Sequence, residues 1–346
     1  MRFTPRCPRS HSAVLFVTLA LLSNIALLSE VSAQQANDEA EASRRRELGA
    51  PAEIKRKLAD YRAEISRRGL GYGVGYTRVM DQPRESLLGD RDDPSQTRDW
   101  RLNINRQADI LLKVDASARV SFLLQNPDRR RTLPDIVNKV EIECNASLKS
   151  FDWRPHGKVT PVRRQTCGNC WAFAAVATYE SSNLMTNATK VDGSEQYSND
   201  CGMADAGGRA GSCQGGLAVN ALQHFLRVGE VTEKVSKYLG KDSACRNPSP
   251  TLYAAAWGFV DPNVEHPTRQ QIKDALCNRG PLATRMRVVS DAIFSYKTGV
   301  YNEPVESDDA GGGHAVVIGR QQSRLAGEEF MGYGLGAGTR AWLDRL

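Results

Sequence analysis

Gln165-Thr-Cys-Gly-Asn-Cys-Trp-Ala-Phe173 is the stretch on which the reading of this chain turns. Cys170 is followed by an aromatic residue and then by helix formers, Ala172 to Ala177. That order predicts a helix over 170–186 with the sulfur at its N-terminus. Unpaired N–H groups and the macrodipole favour negative charge there, so the thiol is expected to ionise more readily than a free one. A thiolate beside a histidine is a nucleophile for acyl transfer.

Outward from this run, the chain shows an exported protein. Arg2, Arg6 and Arg9 precede an apolar stretch from Ala13 to Leu28, and Val31-Ser32-Ala33 follows. These features predict a signal peptide over 1–33, with an uncleaved membrane anchor as the rival. Secreted or periplasmic location permits disulfides. Removing Cys7 with the signal leaves seven cysteines, an odd number, which fits one free thiol and three pairs. The 346 residues are 40% apolar and 25% charged, with a net charge of +6. The runs Arg44–Arg46 and Arg129–Arg131 lack aromatic interleaving, so no nucleic-acid partner is expected.

Residues 34–147 read as a mostly helical N-terminal region. Ile54, Leu58, Tyr61 and Ile65 recur at helical spacing over 53–68 and stop at Gly69. Gly71 to Thr77 reads as extended, 83–99 as a loop rich in Pro, Asp and Arg, and 103–126 as a second helix. From 148 onward aromatic, Gly and Cys residues become frequent. Helices are expected near 170–186, 215–228 and 268–279, with a strand over Ala315–Ile318. The fold class is α+β.

Several segments in order resemble the papain family of cysteine peptidases. They are Phe151 to Pro161, Gln165 to Phe173, Ser194-Glu-Gln196, Asp200-Cys201, Gly211 to Gly216, Gly280-Pro-Leu282, Tyr296 to Tyr301 and His314-Ala-Val316. The resemblance implies a papain-like two-lobe fold, one lobe helical and one a β-barrel, with the active site in the cleft between them. It makes Cys170 the nucleophile, His314 the general base and acid, and the Gln165 side chain an oxyanion donor beside the backbone N–H of Cys170. Gly215 and Gly216 match the substrate-backbone contact, and Leu217 and Ala218 would line an apolar specificity pocket. It pairs Cys167 with Cys213 and Cys201 with Cys245. Cys144 and Cys277 remain, and we expect them to form a third bridge. No metal or organic cofactor is implied. The partners are peptide or protein substrates, and the chain is expected to be a monomer.

Residues 34–147 then read either as a prosegment that occupies the cleft, making the chain a zymogen, or as a permanent extra module. Gly73-Val-Gly-Tyr-Thr-Arg-Val-Met-Asp81 is similar to segments that precede the catalytic domain in bacterial papain-like proteins. Asn145-Ala-Ser147 and Asn187-Ala-Thr189 are glycosylation sequons, which a bacterial host would leave bare. Cys167-Gly-Asn-Cys170 is also a C-x-x-C, so a dithiol oxidoreductase or half a zinc site is an alternative. His224 reads as structural and His156 as a loop residue.

The chain departs from the family in three places. A single residue separates Gln165 from Cys167 where the family has two. Arg285 stands where small apolar residues are usual. No asparagine follows His314 to orient it, and 319–346 carry no strand alternation. Glu328 to Gly336 can be encoded so that the adjacent reading frame spells Lys-Asn-Ser-Trp-Gly-Thr-Gly-Trp-Gly. This predicts a frameshifted or truncated C-terminus, aberrant over 319–346, with an incomplete barrel lobe. A catalytically impaired relative that binds peptides or a partner is therefore a second alternative.

Overall fold

The computed structural model describes residues 41, 44–91, 93–125, 144–205, 207–304 and 312–322. The signal peptide, the arginine run 129–131 and most of the 319–346 segment lie outside them. The chain forms two compact units, Met1–Lys57 and Leu58–Leu346. In the first, 44–49 are helical. All that follows concerns the second.

Helix α1 (Ala52–Arg68) ends where Gly69 takes φ +63, a left-handed conformation that lets the Leu70 N–H reach the Ile65 carbonyl at 3.0 Å. The chain then enters β1 (Tyr72–Val74). The loop expected over 83–99 contains a single 3₁₀ turn at Arg84–Ser86 and gives way to α2 (Arg98–Gln125). The next elements are β2 (Ser150–Asp152), α3 (Cys170–Thr186) and α4 (Glu195–Cys201). In α4 the Ser194 hydroxyl accepts the Tyr197 N–H at 2.9 Å, an N-cap that satisfies one orphan donor. Then come β3 (Gly211–Ser212), β4 (Gly215–Gly216), α5 (Ala218–Arg227) and α6 (Arg269–Arg279). Helix α6 opens on a capping box between Thr268 and Gln271. The remaining strands are β5 (Leu282–Val288), β6 (Tyr296–Gly299), β7 (Gly312–Ile318) and β8 (Arg320–Gln322).

Among the described residues the strands form antiparallel pairs, not a closed barrel: β1 with β6, β2 with β8, β3 with β4 and β5 with β7. The β5–β7 ladder sets Met286 opposite His314 and Arg285 opposite Ala315. The α+β class is realised, with one core for each lobe. In the helical lobe, the first half of α3 is buried on every side, which explains its lack of an apolar stripe. Trp171, Ala175 and Val176 pack there with Ala221 and Phe225 of α5 and with Ala315. The second core joins two parts of the chain far apart in sequence. Ile65, Tyr72, Val79 and Leu87 from the N-terminal region pack with Met286, Val288, Ile293, Phe294 and Tyr296 from the strand lobe. Disulfides join Cys144 to Cys277, Cys167 to Cys213 and Cys201 to Cys245, and Cys170 is free.

Candidate active site

Cys170 is the first residue of α3, as the order of residues around it requires. Two neighbours hold the loop that precedes it. The Cys167–Cys213 bridge clamps it to the β3–β4 turn, and the Tyr238 hydroxyl donates to Asn169 Oδ1 at 3.0 Å while accepting the Thr166 N–H at 3.0 Å. Because Cys167 is bonded to Cys213, it is not a dithiol partner for Cys170. Trp171 lies beneath the glycine ladder and donates from its indole nitrogen to the Ser212 carbonyl at 3.2 Å. A Cβ on Gly211 or Gly216 would meet that ring at 2.6 Å, so this approach requires glycine.

His314 reaches the same place from β7. The backbone N–H of its neighbour Ala315 donates to the Cys170 sulfur at 3.4 Å. His314 Nδ1 donates to the Leu87 carbonyl at 2.8 Å. Its Nε2 is buried with no hydrogen-bond partner among the described residues. The Gln165 side-chain amide donates to the carbonyls of Cys167, Ser86 and Leu87 at 2.8, 3.3 and 3.4 Å. The short spacing between Gln165 and Cys167 thus still leaves the amide directed at the strand above the nucleophile.

That strand is part of the chain itself. Residues 86–91 cross the site, and backbone bonds fix them. The Gly216 N–H donates to the Gly89 carbonyl at 2.8 Å, the Arg91 N–H to the Gly216 carbonyl at 3.1 Å, and the Asp90 N–H to the Gly313 carbonyl at 3.1 Å. Gly89 runs so close to the nucleophile loop that a Cβ on it would stand 1.7 Å from the Gly168 carbonyl oxygen. Gly216 therefore contacts an extended backbone, while Ala218 packs toward the Cys170 core and Leu217 leads into α5.

Covering the site reverses one expectation. Burial pushes the Cys170 thiol up to about 12, against smaller lowering effects from the Ala315, Gly89 and Trp171 backbone groups. Burial also pulls His314 down to about 4, partly offset by its bond to Leu87. With the strand in place, the pair is a neutral thiol and a neutral imidazole. The helix N-terminus does favour the thiolate, but losing water costs more than the dipole returns.

Two partners escaped the sequence. Asp90 lies opposite both Gly216 and Gly313, and its Oδ2 is 3.1 Å from Arg285 Nε. Glu303, buried, accepts from the Tyr72 hydroxyl at 2.5 Å and from Arg68 at 2.7 Å. The lone Gly89 amid charged residues was a signal for the first, since glycine marks a close backbone approach. Nothing local marks the second. His224 lies apart from the site, accepting the Met203 N–H at 3.3 Å, and His156 stacks on Phe151.

A free buried cysteine at a helix start, a histidine on the adjoining strand and an amide donor aimed at the same carbonyls are all assembled around one cleft. The papain family cysteine protease profile matches residues 148–343. The chain belongs to the papain family of cysteine proteases. It is 36% identical over 172 residues to cathepsin L of Sarcophaga peregrina, covering 49% of each chain. It is 32% identical over 236 residues to cathepsin L1 of Drosophila melanogaster, covering 67% of this chain and 62% of that one. The chain spans about half the length of the first curated relatives it matches. Among solved structures, a digestive procathepsin L2 from the Tenebrio molitor larval midgut superposes with a TM-score of 0.51 at 20% identity. That match covers 83% of this chain and 80% of that one, and it speaks for a shared papain-like fold.

Proposed function

We propose that this papain-family chain is the exported precursor of a cysteine peptidase, held inactive by its own residues 84–91. One observation carries the reading. An extended stretch of backbone lies on Gly216 and Gly313 and over Cys170, and its carbonyls meet both His314 and the Gln165 amide. A peptide substrate would need those same contacts. Once the stretch withdraws, water returns to the cleft and the ordinary charge states of thiol and imidazole with it. Cys170 then passes its proton to His314 and attacks the scissile carbonyl carbon. The Gln165 amide and the Cys170 N–H hold the resulting oxyanion. His314 returns the proton to the leaving amine, and water hydrolyses the acyl-enzyme with His314 as base.

The N-terminal region is then a prosegment, with a signal peptide over 1–33, a prosegment-like stretch over 34–147 and the catalytic domain from 148. The substrates are peptides or proteins and the enzyme works as a monomer. The Gly73–Asp81 segment supports a bacterial type. A thiol-directed peptidyl probe tests the function. After release of the N-terminal region, labelling at Cys170 that is lost in His314→Ala supports a peptidase. Labelling that is indifferent to His314, without hydrolysis of denatured casein, rejects it.

A second reading has an observation of its own. The orphaned Nε2 of His314 is the atom an orienting side chain would hold, and the described residues offer none. An impaired relative that binds peptides without turning them over is therefore the alternative. We attribute the lost orienter to a frameshift close to Gly319. Nucleotide sequence across 319–346 that is incompatible with the Asn-Ser-Trp-Gly peptide in the adjacent frame refutes this origin.

A further inference from the structure

We propose that Arg285 is a specificity-determining residue, making the subsite beside Gly216 select an acidic side chain. The inference deepens the peptidase reading and rests on it. The covering strand shows where a bound side chain goes. Gly89 lies over the nucleophile loop, so its neighbour Asp90 stands in for the substrate residue next to the one bearing the scissile carbonyl. Asp90 is the residue paired with both Gly216 and Gly313. From that position its carboxylate meets the Arg285 guanidinium, with Oδ2 and Nε 3.1 Å apart. The Asp90 side chain is 7% exposed and that of Arg285 35%.

The guanidinium is a fixed wall of this subsite. Arg285 sits on β5 directly across from Ala315, whose N–H holds the Cys170 sulfur. Gly313 makes room for it. A Cβ there would stand 2.4 Å from the Asp90 carbonyl oxygen and 2.8 and 2.9 Å from Arg285 Nε and Nη2. Strand, guanidinium and β7 backbone therefore close on one another only because residue 313 has no side chain. Leu217 and Ala218 leave the far side apolar, as the family resemblance implies, but the wall opposite carries a cation.

The chemistry follows from burial. A carboxylate removed from water is tolerated only beside a cation that answers its charge. A leucine in the same place would leave the guanidinium facing hydrocarbon, and an arginine or lysine would be repelled. Selection therefore has both an attractive and a repulsive component. An apolar subsite gives only modest discrimination between side chains, whereas a charge-paired one rejects mismatches strongly.

The test uses the full chain, with residue 90 as a tethered ligand and protection of Cys170 from iodoacetamide as the readout. This requires no catalysis. We expect Asp90→Glu to protect within about threefold of the parent. Asp90→Leu and Asp90→Arg should raise the alkylation rate at least tenfold, with arginine the worse. Placing the series in Arg285→Ala should erase the ranking, and Arg285→Gln repeats the comparison with side-chain bulk kept. The reversed pair Asp90→Arg with Arg285→Asp should restore protection. Asp90→Leu protecting as well as the parent, or a ranking that survives loss of Arg285, overturns the proposal. Fluorogenic peptides varied at the residue next to the scissile one provide the second arm. Cleavage in the order Asp, then Leu, then Arg supports the selection, and a flat order overturns it. Cleavage of none rejects the peptidase reading, while the alkylation series still decides the role of Arg285.

Discussion

Gly89→Ala should strip the cover from the nucleophile. The added Cβ would stand 1.7 Å from the Gly168 carbonyl oxygen and 2.3 Å from its carbon, and neither backbone can yield locally. Gly168 is wedged from behind, since a Cβ of its own would meet the Cys213 carbonyl oxygen at 2.5 Å. Strand 86–91 must therefore lift. Lifting breaks the bonds of Gly89 and Arg91 to Gly216, of Asp90 to Gly313 and of Leu87 to His314. Each contributes about 1 kcal/mol net. Losing three or four weakens closure by roughly 3–4 kcal/mol, a shift of about 10²–10³ in the closed-to-open ratio. The assay is the rate of iodoacetamide alkylation of the Cys170 peptide in the full chain, followed by mass spectrometry. Gly49→Ala serves as control, since a Cβ there meets nothing within 4 Å. A Gly89→Ala protein of unchanged melting temperature, alkylated within twofold of the parent rate, would refute the reasoning.

Closure should also respond to pH through two groups of opposite sign. His314 is held near 4 while covered, against an ordinary value of 6.5, so protons favour the open state as pH falls from about 6.5 to 4. Burial, only partly offset by Arg285, raises covered Asp90 to about 6 from 3.8, so protons favour the closed state over much of the same interval. Hydrogen-exchange protection of the Asp90 and Arg91 amides, corrected for intrinsic rates, should vary little with pH in the parent. In Asp90→Asn it should fall steeply on acidification, and parallel profiles would contradict the assignment. Glu303→Ala should lower stability by on the order of 2 kcal/mol, because buried charge-assisted bonds to Tyr72 and Arg68 are lost. Exposed Arg67→Ala should shift the denaturation midpoint by less than about 0.5 kcal/mol equivalent, and equal shifts would remove Glu303 from the anchor.

Local chemistry made the helices legible. The Ala-rich run after Cys170, the Thr268/Gln271 cap and the stop at Gly69 all write their boundaries into neighbouring residues. The cysteine at the helix start was legible for the same reason. Its protonation was not, because the water it loses is displaced by residues some eighty positions upstream. Residues 83–99 carry the composition of a solvated loop, and their extended path at 86–91 comes from ladder partners at Gly216 and Gly313, not from propensity. Arg285 looked anomalous by itself and acquires a reason only beside Asp90. Long-range pairing of this kind has no local signature in a single chain.

The shared core of the N-terminal region and the strand lobe has a consequence for assembly. Ile65, Tyr72, Val79 and Leu87 wall in the strand-lobe residues Met286, Val288, Ile293 and Tyr296, and so complete a hydrophobic interior that the strand lobe does not close alone. The region that bars substrate is thus also a template on which that lobe condenses. Cutting it away exchanges a buried oily face for water, so maturation trades solubility for access. A chain synthesised from residue 148 onward should reach inclusion bodies, and supplying 44–125 as a separate polypeptide during refolding should raise the soluble yield.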